Sequence, residues 1–151
     1  MVHLVVRELR PDYLGLVTEP DTHARLTGLR EFLQPATVVE LVRFALRDLD
    51  RGTTLVAAGS GSWSPPTFAE SLARQTNVDF IAIHIYPISG PMLSNAARMA
   101  QIAHANGKQA FIDEAWLYKI LRPGAAITWL RRPRCIGGTC TRSGSRSTRS
   151  S

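Results

Sequence analysis

A nearly unbroken apolar run occupies residues 78–86, which read VDFIAIHIY. Polar residues interrupt it at only two positions, Asp79 and His84, and Pro87 follows directly. A short run without alternation is typical of a strand that is buried on both faces. Proline cannot continue the hydrogen-bonding ladder, so the strand is expected to end at Tyr86.

Similar runs recur on both sides of this stretch and alternate with helical patterns. We predict strands at 13–17, 53–58, 78–86 and 109–114, and helices at 2–9, 38–49, 66–75 and 91–105. Alternating strands and helices indicate an α/β protein with parallel strands and crossover helices. The strand spacing is close to the ~31 residues per unit of an eight-unit barrel, although an open doubly wound sheet fits the same order. Residues 59–64 are predicted to form a loop, and a single Gly-Ser-Gly there only weakly supports a dinucleotide site.

Charge divides the chain into two parts. The sequence of 151 residues has 18 Lys and Arg against 12 Asp and Glu, a net charge of +6. Residues 1–130 are charge-balanced, whereas residues 131–151 contain Arg, Ser and Thr with no acidic residue. We therefore expect one α/β domain at 1–130 and a disordered or frameshifted tail at 131–151. Binding of RNA or DNA would depend on that tail alone, and no nucleic-acid partner is expected.

The chain shows no sign of a membrane, secretory or metal-binding segment. No run of 18 apolar residues is present, and the first residues lack the basic region and cleavage site of a signal peptide. Cys135 and Cys140 lie in the tail, where free thiols or a local disulfide are expected, because two cysteines are too few for a zinc site. His84 has no zinc-ligand spacing with His23 or His104, so neither a metal nor a cofactor is predicted. The compartment stays undetermined.

Ionisable residues fall at the carboxyl ends of three predicted strands. Glu19 follows the first, His84 ends the third, and Asp113 and Glu114 end the fourth. Ligands bind at this edge in parallel α/β folds. Glycoside hydrolysis uses two carboxyl groups that face one cavity, one as the acid and the other as the nucleophile or base. The simpler alternatives are a surface Glu19, a solvated pair at the fourth strand and a core histidine at position 84.

Three segments together resemble the clan A glycoside hydrolases, which are cellulase-like (β/α)8 barrels. LGLVTEP at 14–20 resembles strand four of that family, FIAIHIYP at 80–87 resembles strand six, and FIDEAW at 111–116 resembles strand seven. The resemblance implies a partial TIM barrel that covers strands four to seven. It also implies a retaining glycosidase that cleaves β-linked carbohydrate.

The resemblance assigns a role to each matching position. Glu19 would be the acid/base and Glu114 the nucleophile. Tyr86 would hydrogen-bond Glu114 and keep it ionised, and His84 would line the sugar subsite. Trp63 and Trp116 would provide stacking surfaces for sugar rings, because indole packs against their apolar faces. For Trp63, anchoring of its own loop is an equally good interpretation.

The chain also departs from the family. Thr18 stands where the family has an Asn that contacts the sugar 2-hydroxyl, and strands one to three and eight have no counterpart. The Arg-rich segment stands where the last strand–helix unit of the barrel is expected, and this favours a frameshift near residues 121–131. We therefore expect a fragment with little or no activity, whose exposed sheet edges would allow self-association. The alternative is a non-catalytic open-sheet α/β domain that binds a small ligand or a protein partner.

Overall fold

Four parallel strands form one sheet with helices between them. In the computed structural model, residues 1–86 and 89–115 are described. The elements in chain order are helix α1 (Val2–Leu9), strand β1 (Tyr13–Gly15), helix α2 (Pro20–Thr27), a 3-10 turn (Arg30–Leu33), helix α3 (Pro35–Leu46), strand β2 (Leu55–Gly61), helix α4 (Thr67–Gln75), strand β3 (Phe80–Ile85), helix α5 (Gly90–Ala105) and strand β4 (Gln109–Ala115).

The strands lie side by side in their chain order. The sheet order is β1-β2-β3-β4, every pair is parallel, and the sheet is curled. Leu14 pairs with Val56, and Ala82 pairs with Gly59 on one side and Phe111 on the other. Because every strand runs the same way, all four carboxyl ends meet at one edge. The predicted α/β class with parallel strands is confirmed.

The hydrophobic core lies between the sheet and the helices. Ile81, Ile83 and Ile85 of β3 are buried there, together with Leu72 of α4 and Met99 of α5. Successive side chains of a strand point to opposite faces. The alternate residues of β3, among them His84, therefore lie on the other face of the sheet.

The face opposite the helices carries a cluster of aromatic rings. Tyr13, Phe80 and Phe111 contact one another with ring centroids 5.8 to 6.4 Å apart. Tyr13 is 62% exposed and Phe111 43% exposed. In the described part of the chain, β1 and β4 each pair with one strand only, so both edges of the sheet lack a second neighbour.

The observed boundaries correct the predictions at several places. Helix α3 begins and ends three residues before the predicted 38–49, and β1 ends at Gly15 instead of residue 17. Helix α2 and the 3-10 turn occupy a region for which no element was predicted. The sequence does carry the signals of α2, because Pro20 stands at its first position and Gly28 ends it with a positive φ of 79°. Residues 59–61 were predicted to be a loop but extend β2. Gly59 is needed there because the backbone of Ala82 passes too close to admit a Cβ.

Several predictions concern residues outside the described ranges. These are Trp116, Cys135, Cys140 and the whole segment 131–151. No helix among the described residues has both the length and the apolar character needed to cross a membrane.

Candidate functional site

Three strand ends place ionisable side chains around His84. Glu19 lies between β1 and α2, where it is the N-cap residue, although its side chain makes no capping hydrogen bond. His84 is the penultimate residue of β3, and Glu114 is the penultimate residue of β4. Tyr86 directly follows β3. The structure thus brings together four of the residues that were predicted from sequence.

The imidazole of His84 contacts three carboxylates. Its Nδ1 lies 2.7 Å from Oε1 of Glu19 and 3.4 Å from Oε2 of Glu114. Its Nε2 lies 3.2 Å from Oδ2 of Asp113. Only 7% of the side chain is exposed. His84 is therefore a buried histidine whose two ring nitrogens face acidic partners, which differs from the apolar surroundings of an ordinary core residue.

An irregularity in β4 explains why two consecutive acidic residues reach the same histidine. Ile83 pairs with Ile112, but His84 pairs with Glu114, so Asp113 is an extra residue in the ladder. Successive residues of a regular strand point to opposite faces, whereas an extra residue re-aims the side chains beside it. Asp113 was recognised in the sequence only as the neighbour of Glu114, because a register shift leaves no signal in a single strand.

Glu19 is held in its ionised form by its neighbours. Burial raises the pKa of Glu19, but hydrogen bonds from Tyr86, His84 and Thr22 outweigh burial and leave the pKa below its ordinary value. The hydroxyl of Tyr86 donates a hydrogen bond to Oε1 of Glu19, which lies between β1 and α2. The bond to Glu114 that the family resemblance implies stays a prediction.

His84 is shifted in the opposite direction. Burial lowers the pKa of His84, but its hydrogen bonds to Glu19 and Asp113 and the charge of these carboxylates outweigh burial and raise the pKa. An imidazolium is thus stabilised between acidic groups. With both ring nitrogens protonated, His84 donates one hydrogen bond to Glu19 and one to Asp113.

The two carboxylates proposed from sequence approach each other closely. One oxygen of Glu19, one of Glu114 and a ring nitrogen of His84 all lie within 4.8 Å of one another. The same three residues line a cavity of about 540 Å³, whose apolar wall includes Leu16 and Phe32. This volume falls in the range of ligand-binding clefts, which is about 300 to 1,000 Å³.

Trp63 is fixed beside this cluster by three contacts. Its Nε1 donates a hydrogen bond of 2.8 Å to Oδ2 of Asp21, and its ring lies 4.5 Å from the ring of Tyr86. Its indole also packs against Gly61 so closely that a Cβ at that position would overlap the ring. The indole therefore anchors the end of β2 to α2 and supports the ring of Tyr86. Asp21 was not singled out from the sequence.

Comparisons with protein-family models, with curated proteins and with solved structures find no match for this chain.

Proposed function

We propose that this chain carries the carboxylate pair of a retaining glycoside hydrolase on part of a (β/α)8 barrel. The single observation that supports it most is the approach of Glu19 and Glu114 to within 4.8 Å at the carboxyl edge of a parallel sheet. Retaining glycosidases hold their two carboxyl groups about 5 to 5.5 Å apart, whereas inverting enzymes need about 6.5 to 9.5 Å. Barrel enzymes also have their catalytic residues at the carboxyl ends of their parallel strands.

In this proposal Glu114 is the nucleophile and Glu19 the acid/base. A carboxylate oxygen of Glu114 bonds to the anomeric carbon while the bond from that carbon to the leaving oxygen breaks. The leaving oxygen takes a proton from Glu19. In the second step a water molecule gives a proton to Glu19 and attacks the anomeric carbon, which releases Glu114.

The hydrogen bond between Glu19 and His84 accounts for the proton of the first step. The lowered pKa of Glu19 favours its anion, whereas an acid must deliver a proton. The imidazolium of His84 holds a proton on Nδ1, and Nδ1 lies 2.7 Å from Oε1 of Glu19. That proton passes to Glu19, which donates it to the leaving oxygen and leaves His84 neutral, so the pair acts as one acid. In the second step the proton that Glu19 takes from water returns to His84.

Covalent labelling tests the proposal because it needs only one turnover. Aryl 2-deoxy-2-fluoro-β-glycosides with a dinitrophenolate leaving group react without acid assistance, and their glycosyl-enzyme intermediates break down slowly. The purified chain is incubated with gluco-, manno- and xylo-configured reagents and analysed by intact and peptide mass spectrometry. We expect one sugar per chain, attached at Glu114.

Matched variants decide the role of each carboxylate. Glu114→Gln should abolish labelling. Glu19→Gln should retain labelling by the activated reagent and lose hydrolysis of glycosides with poor leaving groups. Glu40→Gln, an exposed change on α3, serves as the control. Absence of label on the wild-type chain would favour the non-catalytic α/β domain, and label on Glu19 would reverse the two roles.

A further inference from the structure

We propose that Glu19, His84 and Glu114 form a binding site for a divalent transition-metal ion such as Zn²⁺. Their three ligand atoms lie within 4.8 Å of one another. Glu19 follows β1, His84 lies in β3 and Glu114 lies in β4, so no short-range spacing in the sequence could reveal the set. The inference concerns metal binding by this chain and does not depend on the proposed glycosidase activity.

The donor atoms favour zinc-like ions over hard cations. An imidazole nitrogen with two carboxylate oxygens is a mixed nitrogen and oxygen set, which suits Zn²⁺ and its neighbours in the first transition row. Mg²⁺ and Ca²⁺ prefer oxygen ligands alone. Three protein ligands leave a fourth tetrahedral position for water or another ligand, and the same three residues line the cavity of about 540 Å³.

Two of the three distances are close to those around a bound ion, and the oxygens of Glu19 and Glu114, which lie within 4.8 Å of each other, would adjust to about 3.4 Å. Tetrahedral ligands at about 2.1 Å from zinc lie about 3.4 Å from one another. Oε2 of Glu114 is already 3.4 Å from Nδ1 of His84. Oε1 of Glu19 lies 2.7 Å from the same nitrogen and would move outward by about 0.7 Å to leave room for the ion. Rotation about the side-chain bonds of Glu19 provides this movement.

Asp113 supplies an independent feature of metal sites. Histidine ligands usually donate the hydrogen of their second ring nitrogen to a carboxylate, which fixes the tautomer and orients the ring. Nε2 of His84 lies 3.2 Å from Oδ2 of Asp113. With the proton held on Nε2, the lone pair of Nδ1 is free for an ion. His84 is 7% exposed, so its ring orientation is fixed before any ion binds.

Binding exchanges protons for the metal. The ion takes the place of the proton on Nδ1 of His84, and that proton is released to solvent. Both Glu19 and Glu114 would be ligands of the same ion and could not act on a glycoside while it is bound. A chain that is also a glycosidase would therefore be inhibited by Zn²⁺ and reactivated by a chelator.

Titration of the full chain with Co²⁺ and Zn²⁺ tests the proposal. Residues Cys135 and Cys140 are replaced by Ser, because thiolates bind both ions. We expect the chain to bind one equivalent of Co²⁺ and to show the visible absorption of a four- or five-coordinate site with nitrogen and oxygen ligands. Added Zn²⁺ should displace the Co²⁺ and remove this absorption. Absence of binding by this folded chain, with both cysteines replaced, overturns the proposal.

Variants assign the ligands. His84→Ala and Glu114→Gln should each lower the affinity by more than tenfold, and Asp113→Asn by about 10- to 100-fold. His104→Ala, an exposed change on α5, should bind as the wild type does. Circular dichroism checks each fold, and Glu114→Gln decides the matter if His84→Ala unfolds. Unchanged affinity in folded His84→Ala or in Glu114→Gln contradicts the site. Metal binding without covalent labelling leaves this inference intact and contradicts only the glycosidase.

Discussion

Replacement of Gly59 by Ala should destabilise the sheet at the point where β2 and β3 come closest. A Cβ at Gly59 would lie 2.6 Å from the carbonyl carbon and 2.8 Å from the amide nitrogen of Ala82, and closer still to the carbonyl oxygen. Non-bonded carbon atoms prefer about 3.5 to 4.0 Å, so the overlap is about 1 Å. The atoms that would have to move belong to the backbone of a hydrogen-bonded strand. We therefore expect a loss of about 3 kcal/mol, the upper end of the usual cost of overpacking.

Gly15→Ala is the matched control in the neighbouring strand. Its added Cβ would meet only Cγ2 of Thr18, at 3.9 Å, which is an ordinary van der Waals contact. Alanine also restricts the unfolded chain more than glycine does, by about 0.4 to 1 kcal/mol where the native backbone is compatible. This variant should unfold within about 1 kcal/mol of the wild type.

Urea unfolding, followed by circular dichroism, measures both variants. With an m value of about 1.5 kcal/mol per molar urea, a loss of about 3 kcal/mol lowers the midpoint by about 2 M. Because Ala82 precedes His84 by two residues in β3, Gly59→Ala should also weaken the binding of Co²⁺. Equal midpoints for Gly59→Ala and Gly15→Ala would refute the close approach of the two strands.

Three further outcomes are expected. The lowered pKa of Glu19 stabilises the fold at pH values above the unfolded pKa of about 4.3, and this contribution is lost as the pH falls through the folded pKa of Glu19. The raised pKa of His84 stabilises the fold at pH values below the unfolded pKa of about 6.5, and this contribution is lost as the pH rises through the folded pKa of His84. The melting temperature should therefore be highest in mildly acidic buffer, and a flat pH profile of the wild type, or one that Glu19→Gln leaves unchanged, would contradict the pair. In a double-mutant cycle, Trp63→Phe and Asp21→Ala should show a coupling of about 1 kcal/mol, since their hydrogen bond is 2.8 Å long, and additive effects would contradict it. Leu72→Ala should cost about 2 to 5 kcal/mol in urea unfolding because Leu72 is fully buried, and a loss below about 1 kcal/mol would contradict its place in the core.

Local patterns were sufficient to predict most of the elements. The apolar run at 78–86 and the helical spacing at 91–105 predicted β3 and α5 within two residues at each end. These predictions succeed because side-chain periodicity and proline or glycine signals act over a few residues. The prediction of a loop at 59–64 is wrong for residues 59–61, because it considered only neighbours in the sequence. Glycines indicate a turn when only their neighbours in sequence are considered, whereas Gly59 is required by a strand that lies more than 20 residues away.

The candidate site, like the fold, was predicted only in part from the sequence. The order of strands and the parallel rule placed Glu19, His84 and Glu114 at one edge of the sheet from sequence alone. The tertiary structure decided which atoms meet there. Tyr86 bonds Glu19, Asp113 enters through an extra residue in β4, and His84 lies among three carboxylates. The physical reason is that a strand's direction is fixed by local patterns, whereas its register and the aim of its last side chains depend on the neighbouring strand with which it pairs.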